Sequence, residues 1–331
     1  MIITKTPFRI SFFGGGTDYP GWYREHGGAV LATSIDKYCY ITCRRLPPFF
    51  EHKHRIVYSK IENVKSVEEI VHPAVRNVMQ WMDVSEGLEI HHDGDLPARS
   101  GLGSSSSFTV GLIHAIKALR GQYTSKKELA RDAIYVEQDV IKENVGSQDQ
   151  ASAAYGGFNR IDFLTSGDLV CSPVIVARER QNALESHMML FFTGMIRIAS
   201  EVAKAQIDNI AHKHAQLEKM HAMVDEGLSI LGNENTSLDE FGKLLDQAWQ
   251  YKRSLSERVS NSTIDDLYTA GIKAGALGGK ILGAGGGGFL LMFARPEDQP
   301  KVREALHGLV HVPFKFESGG SSVVLYQPNG F

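Results

Sequence analysis

The 331-residue chain is poor in cysteine, with only Cys39, Cys43 and Cys171. An odd and sparse set of cysteines argues against a disulfide framework. Cys39 and Cys43 are four positions apart, but they lack the paired ligands that a zinc site needs. We therefore interpret all three as reduced packing residues of a cytoplasmic protein.

Charge of one sign and long hydrophobic runs are also scarce. The 35 Lys and Arg residues nearly balance the 38 Asp and Glu residues, and the net charge is -3. A nucleic-acid-binding protein typically has a basic footprint, so no nucleic-acid partner is expected. The longest clear apolar run covers residues 289–294, too short to cross a bilayer, and residues 1–13 lack a signal-peptide pattern. We expect no membrane segment.

The best-known nucleotide-binding motifs are missing as well. No Walker A loop occurs, which argues against a P-loop enzyme. The dinucleotide pattern Gly-x-Gly-x-x-Gly fails at Ser106, which argues against an oxidoreductase with a nicotinamide cofactor. The chain has no His-Arg-Asp or Asp-Phe-Gly element, so it is not a protein kinase.

Glycine is concentrated in three loops, at residues 13–19, 96–107 and 280–289. The length of the chain suggests two domains, which we predict at residues 1–180 and 181–331. A helix is predicted over residues 104–119, with Gly121 as its C-terminal stop. Capping boxes at residues 125–128 and 237–240 predict the starts of two further helices.

The second glycine-rich loop has the clearest chemistry. Glycine lets the backbone approach a ligand closely, and a helix N-terminus favours a phosphate through its free N–H groups and its dipole. An ordinary N-cap needs one serine, whereas four serines follow Gly-Leu-Gly here. We therefore predict a nucleotide-phosphate site formed by Pro97, Gly101, Leu102, Gly103, Ser104, Ser105, Ser106 and Ser107.

Residues 97–106 resemble the phosphate-binding motif of the GHMP kinases, the superfamily of galactokinase, homoserine kinase, mevalonate kinase and phosphomevalonate kinase. Residues 7–19 resemble the N-terminal motif of its sugar kinases, and residues 282–288 resemble its C-terminal glycine motif. The resemblance implies an α+β GHMP kinase fold, with an N-terminal domain like the second domain of ribosomal protein S5 and a ferredoxin-like C-terminal domain. It also implies a phosphotransferase that uses ATP and Mg²⁺.

The resemblance also assigns catalytic roles. The segment around Asp149 is similar to the Gly-x-x-Asp-Gln segment that carries the catalytic aspartate in galactokinase-like members, so Asp149 is expected to be the base. Arg9 is expected beside it, because an arginine keeps a carboxylate ionised and stabilises transferred negative charge. Asp139 and Asp132 are alternative bases. The family places an acidic magnesium ligand on the preceding helix, which maps to Glu137 with Ser105 as its partner.

The acceptor site is expected at the first and third glycine-rich loops. The resemblance implies acceptor binding at Gly15, Gly16, Thr17, Asp18 and Tyr19. The excess of glycine around Gly285 and Gly286 predicts close backbone approach to the acceptor or to the segment that binds it. An acceptor that already carries a phosphate also needs a basic subsite. Asp18 would accept sugar hydroxyls. Arg197 would hold an acceptor phosphate, with Lys252, Arg253 and Arg24 as alternatives.

The first forty residues are similar to one branch of the family, the D-glycero-α-D-manno-heptose 7-phosphate kinases. That similarity implies phosphorylation of the anomeric hydroxyl of a small-molecule sugar phosphate. An L-fucose or galactose-type 1-kinase is the alternative enzyme, and a non-catalytic sugar sensor on the same fold is the alternative from another class. A homodimer is an option that the sequence leaves open.

Overall fold

The computed structural model describes residues 1–98, 100–195 and 199–329. The strands are β1 (Ile2–Phe13), β2 (Gly28–Arg45), β3 (His54–Val57), β4 (Ile61–Val64), β5 (Leu88–Gly94), β6 (Phe158–Phe163), β7 (Leu169–Pro173), β8 (Met188–Phe192), β9 (Gly278–Ile281), β10 (Phe289–Phe293), β11 (Val310–His311), β12 (Phe316–Glu317) and β13 (Ser322–Tyr326).

Eleven α-helices connect these strands within the described residues. They are α1 (Pro20–His26), α2 (Pro73–Trp81), α3 (Ser104–Leu119), α4 (Lys126–Tyr135), α5 (Gln148–Tyr155), α6 (Arg178–Ser186), α7 (Ala199–Asp208), α8 (His214–Gly232), α9 (Asp239–Arg253), α10 (Ser262–Lys273) and α11 (Gln299–Ala305). Short 3₁₀ turns occur at Val67–Glu69 and Ile210–His212, and one π-helical turn covers Val136–Val140. No described helix is long and apolar enough to cross a membrane.

The first domain is built on a nine-stranded sheet. Its main path runs β13-β1-β2-β5-β3-β4, while β12 and β6 also pair with β2, and β7 extends β6. All these pairs are antiparallel except that of β3 with β5. Helix α3 packs across β1 and β2, and Gly111 permits the close approach, because a Cβ placed on it would lie 3.0 Å from Thr6 Oγ1.

The second domain contains a four-stranded antiparallel sheet in the order β11-β8-β10-β9. This order and the helices between the strands form the expected ferredoxin-like arrangement. The predicted domains, 1–180 and 181–331, stay a prediction, although the second unit contributes its last two strands to the first sheet. Strands β12 and β13 leave that unit and pair with β2 and β1 of the first sheet.

Local sequence signals had mixed success. The capping box at Ser125 and Glu128 is present, with both reciprocal contacts made. The one predicted at residues 237–240 is wrong. Helix α9 begins one residue later, after Leu238. Ser237 Oγ instead accepts from Asp239 N at 3.2 Å, while Glu240 pairs with Lys243 in the first turn.

Candidate active site

An arginine–carboxylate pair lies where β1 meets α5. Arg9 Nε donates to Asp149 Oδ1 and Arg9 Nη2 donates to Asp149 Oδ2, each at 2.8 Å. Arg9 is only 3% exposed, whereas the Asp149 side chain keeps 17% of its surface. This bidentate geometry fixes the orientation of the carboxylate, while leaving it reachable for a substrate.

The second glycine-rich loop wraps around this pair. Arg9 donates from Nη1 to Gly101 O at 2.7 Å and from its backbone N to Leu102 O at 3.1 Å. A Cβ placed on Gly103 would lie 3.4 Å from Asp149 Oδ2, and its φ of 75° favours glycine. The loop therefore brings the start of α3 against the charged pair, as a phosphate-transfer site requires.

The four serines that begin α3 point in four directions, since successive helical residues are rotated by about 100°. Ser105 is exposed and Ser104 is partly exposed at the mouth of the loop. Ser106 is buried and donates to Glu137 Oε2 at 2.7 Å. Ser107 donates to Pro7 O of β1 at 2.9 Å. Ser106 therefore fixes Glu137, and Ser107 anchors the helix to β1. The predicted roles of Ser105 as a magnesium ligand and of Ser107 in phosphate binding stay predictions.

Glu137 lies in the π-helical turn, 1% exposed. Its Oε2 also accepts from Gln150 Nε2, whereas its Oε1 has no hydrogen-bond partner among the described residues. Burial raises the pKa of this carboxyl to about 7. An orphaned carboxylate oxygen fits Mg²⁺, which typically takes one or two carboxylates and completes its shell with water and nucleotide phosphates. No group of three acidic, histidine or cysteine ligands occurs in the described residues.

Asp18 is held in the first glycine-rich loop. Its Oδ1 accepts from Gly16 N at 2.9 Å, and its Oδ2 faces Gln148 N at 3.4 Å. Gly146 makes room for it, because a Cβ there would lie 1.9 Å from Asp18 Oδ2. Burial raises the pKa of Asp18, and the nearby Asp149 carboxylate adds to the rise.

The two residues beside Asp18 differ in their availability. Thr17 is fully buried, and its hydroxyl contacts Gly14 O at 2.8 Å and Ala29 O at 3.0 Å. Those contacts brace the loop, and acceptor binding by Thr17 stays a prediction. Tyr19 is 7% exposed, and burial raises the pKa of its hydroxyl, with Asp18 and Asp149 contributing.

The third glycine-rich loop mainly contacts other backbone. Gly286 N donates to Val259 O at 2.8 Å, and a Cβ on Gly285 would lie 2.7 Å from the same oxygen. Gly288 N donates to Met195 O at 2.7 Å. Gly285 and Gly286 let the loop pack against its neighbours, and their predicted role at the acceptor site stays a prediction. The motif's excess of glycine reflects close packing of chain on chain.

Two buried lysines complete the charged cluster. Lys252 on α9 donates to Ile281 O at 3.0 Å and to Gly283 O. Lys280 on β9 donates to Phe12 O at 2.9 Å. Burial lowers the pKa of Lys252 well below its usual value, with Lys280 and Arg9 contributing, and burial lowers that of Lys280 to about 7. Our sequence reasoning overlooked Lys280, whose only signal was a charge inside an apolar strand.

The remaining predicted residues lie apart from this cluster or outside the description. Pro97 is exposed in the loop that precedes Ser100. Arg253 pairs with Asp265 at 2.8 Å, and Arg24 is exposed on α1. Asp139 is exposed, and Asp132 pairs with Lys117. Arg197 lies outside the described residues.

Comparison with known proteins identifies two family models in this chain. The GHMP kinases N terminal domain matches residues 67–157, and the GHMP kinases C terminal model matches residues 230–310. Together they contain α3, Glu137, Asp149, Lys252 and the third glycine-rich loop.

Individual relatives span nearly the whole chain. A D-glycero-alpha-D-manno-heptose 7-phosphate kinase from Campylobacter jejuni is 28% identical over 317 residues, 92% of this chain and 93% of that protein. A bifunctional fucokinase/GDP-fucose pyrophosphorylase from Arabidopsis thaliana is 25% identical over 90% of this chain, but this match spans only 30% of that larger protein. The crystal structure of a D-glycero-D-manno-heptose 1-phosphate kinase from Bacteroides thetaiotaomicron superposes with a TM-score of 0.79 at 22% identity, covering 97% of this chain and 98% of that one.

Proposed function

We propose, from the premise that the chain belongs to the GHMP kinases and is a phosphotransferase with an alcohol acceptor, that it phosphorylates a heptose phosphate. The reaction is transfer of the γ-phosphate of ATP to the anomeric C1 hydroxyl of D-glycero-α-D-manno-heptose 7-phosphate. The product is heptose 1,7-bisphosphate, an intermediate on the way to GDP-heptose. We place the reaction in the cytoplasm, where ATP is available.

The Arg9–Asp149 pair carries this proposal. Asp149 accepts the proton of the acceptor hydroxyl while that oxygen forms a bond to the γ-phosphorus and the bond from phosphorus to ADP breaks. Arg9 holds both carboxylate oxygens at 2.8 Å, so the base keeps its orientation as the proton arrives. Its Nη1, now on Gly101 O, places positive charge against the phosphate loop, where negative charge moves during transfer.

The nucleotide phosphates are assigned to the start of α3. The ladder of helical hydrogen bonds starts with Ser107 N donating to Gly103 O at 2.8 Å, and a helix start of this kind attracts anions. Mg²⁺, when bound with ATP, neutralises charge on the phosphate oxygens. We assign it to Glu137, whose Oε1 has no hydrogen-bond partner among the described residues, and to Ser105, which is exposed at the start of α3.

The acceptor is assigned to the loop around Asp18. Its carboxylate is already oriented by Gly16 N at 2.9 Å and lies near Asp149, so it would position a sugar hydroxyl beside the base. Tyr19 would close the same side of the site, since its ring is buried among these charges.

An unphosphorylated sugar is the second candidate acceptor. Among the basic residues proposed to hold an acceptor phosphate, Lys252 already donates to two carbonyls and Arg253 already pairs with Asp265. If the acceptor site offers no cation beyond these two paired residues, a neutral sugar such as L-fucose is favoured, consistent with the similarity to the plant fucokinase.

A coupled ADP-release assay with ATP and Mg²⁺ distinguishes these acceptors. We expect turnover with D-glycero-α-D-manno-heptose 7-phosphate and at least 100-fold lower kcat/KM with L-fucose, galactose and mannose. Heptose 1-phosphate serves as the position control, since it lacks a free anomeric hydroxyl. Turnover only with a free sugar would replace the heptose assignment by the fucose-type one, and turnover with heptose 1-phosphate alone would overturn the C1 position.

A further inference from the structure

Polar side chains without partners are unusual in a protein interior, because an unsatisfied buried hydroxyl or amide destabilises the fold. Two such groups flank the first glycine-rich loop. Ser11 Oγ and Gln148 Oε1 are both buried and have no hydrogen-bond partner among the described residues. Each such group in a native structure requires an explanation.

Both side chains face the same point in the site. A Cβ placed on Gly15 would lie 3.7 Å from Gln148 Nε2 and 3.8 Å from Ser11 Oγ, with no other described atom among its nearest neighbours. Unlike Gly14 and Gly16, Gly15 does not have a positive φ. The backbone angle of Gly15 therefore does not require glycine, and what its missing side chain provides is space. That space is bordered by a hydroxyl and an amide.

This space adjoins the reacting groups. Ser11 lies two residues after Arg9 on β1, and residues two apart on a strand face the same side. Gln148 immediately precedes Asp149 on α5, and its backbone N lies 3.4 Å from Asp18 Oδ2. Ligand groups in this space would therefore sit next to the hydroxyl that Asp149 deprotonates.

We propose that Ser11 and Gln148 are specificity-determining residues that bind hydroxyls of the acceptor sugar, and that Gly15 leaves the volume which the substituent of that sugar occupies. The inference rests on the proposed kinase function. Gln148 Oε1 accepts from one sugar hydroxyl, and Ser11 Oγ donates to or accepts from a neighbouring one, so acceptor binding satisfies both buried atoms. A polyhydroxylated ring with an extended side chain is the class of ligand that needs such a space.

Substitutions that remove Ser11 Oγ or Gln148 Oε1 distinguish a role in acceptor binding from a purely structural role. Ser11→Ala deletes an atom that has no partner among the described residues, so the thermal melting temperature of this variant should not fall. Gln148→Met deletes the unpartnered Oε1 together with Nε2, which hydrogen-bonds the Asp18 carboxylate, so its melting temperature reports the loss of that contact. Each substitution should lower kcat/KM for the acceptor about tenfold, the effect of one neutral hydrogen bond, while the KM for ATP stays unchanged. A kcat/KM equal to that of the wild-type protein in both variants would overturn the assignment. So would a lower kcat/KM that is accompanied by a lower melting temperature and a raised KM for ATP.

Filling the space tests the role of Gly15. Gly15→Ala should reduce kcat/KM for heptose 7-phosphate more than for the shorter mannose 6-phosphate, by about tenfold in the ratio of the two. Gly21→Ala is the matched control, since its Cβ would also meet one atom at 3.7 Å, Ile210 Cδ1, with no positive φ. It should leave the ratio unchanged. An unchanged ratio in Gly15→Ala would overturn the volume assignment.

Calorimetric binding separates this inference from the kinase proposal. If the wild-type protein binds a sugar in the presence of ADP but does not phosphorylate it, the proposed reaction fails. The subsite stands in that case only if Ser11→Ala and Gln148→Met weaken the binding. If the wild-type protein neither binds nor phosphorylates heptose 7-phosphate, heptose 1-phosphate, L-fucose, galactose, mannose or mannose 6-phosphate, both proposals fail.

Discussion

Two glycine-rich loops meet in the site and use glycine in opposite ways. The loop at residues 101–107 leads into the N-terminus of α3, and its Gly103 leaves space for the Arg9–Asp149 pair. The loop at residues 283–288 has five glycines in six positions, yet its N–H groups donate to Val259 O and Met195 O. The first loop leaves room for a ligand, whereas the second packs closely against other parts of the chain.

The contact between these loops shows why both need glycine. A Cβ on Gly283 would lie 2.6 Å from Gly101 Cα, and a Cβ on Gly288 would lie 2.2 Å from Ser100 O. The loop at residues 283–288 therefore packs directly against the phosphate loop at residues 101–107 and supports it. Substitutions on the ligand side should reduce catalysis with little effect on folding, and substitutions on the supporting side should reduce stability first.

The largest effect is expected for Asp149→Asn. An amide cannot accept the proton, so kcat should fall by about 10²–10⁴-fold, the usual contribution of a general base. Nucleotide binding should persist, as measured by titration with ADP. Asp139→Asn, at an exposed position on the neighbouring segment, should keep wild-type kcat. Near-normal turnover of Asp149→Asn would remove Asp149 from the mechanism.

A smaller loss of activity is expected for Glu137→Gln. The amide keeps the shape but removes the negative charge, so the Mg²⁺ concentration needed for half-maximal rate should rise by about 100-fold. Because the neutral side chain removes a buried charge, the melting temperature at pH 8 without Mg²⁺ should not fall. An unchanged Mg²⁺ requirement would contradict the metal assignment and leave the phosphate loop without its proposed carboxylate.

Gly283→Ala tests the supporting loop against a glycine with the same backbone angle. Gly283 has φ of 67° and Gly121 has φ of 70°, but no described atom lies within 4 Å of a Cβ on Gly121. Gly121→Ala should cost only the left-handed strain, about 1–2 kcal/mol. Gly283→Ala should cost about 1–3 kcal/mol more from crowding, as measured by urea unfolding. Equal losses would mean that the contact with Gly101 adds nothing.

The smallest effect concerns Lys280, which connects β9 to Phe12 O. Its folded pKa of about 7 lies below the ordinary value of 10.5, so between these values the unfolded chain binds more protons than the folded chain. The free energy of unfolding should therefore rise with pH across that window, by at most about 1.4 kcal/mol per pH unit from this group. Lys280→Met should flatten the rise between pH 7 and 9. An unchanged slope would mean that Lys280 keeps its proton.

Local signals predicted much of the fold. The helix predicted at residues 104–119 matches α3, because apolar periodicity and a terminal glycine act over short distances. The predicted capping box at residues 237–240 failed because a single residue's shift in the helix start moves both capping side chains out of reach. The return of β12 and β13 to the first sheet carries no local signal at all.

The site was less accessible to sequence reasoning. Arg9 and Asp149 are 140 positions apart, so only the family resemblance could suggest that they meet. The four serines of α3 looked equivalent in sequence, but helical rotation sends Ser106 to Glu137 and Ser107 to Pro7. Thr17, Gly285 and Gly286 lie in motifs of a ligand site. In the structure, however, the Thr17 hydroxyl donates to Gly14 O, Gly286 N donates to Val259 O, and Val259 fills the space beside Gly285.

The pairing of β1 with β13 affects how the protein folds. Ile2 lies opposite Tyr326, while the other edge of β1 pairs with β2. Because contacts between distant positions close large loops, they form late and slowly. The strand that carries Arg9 therefore keeps one unpaired edge until β13 has been synthesised. During that interval the exposed edge is open to pairing with other chains, so chaperone dependence should arise in the domain that is made first.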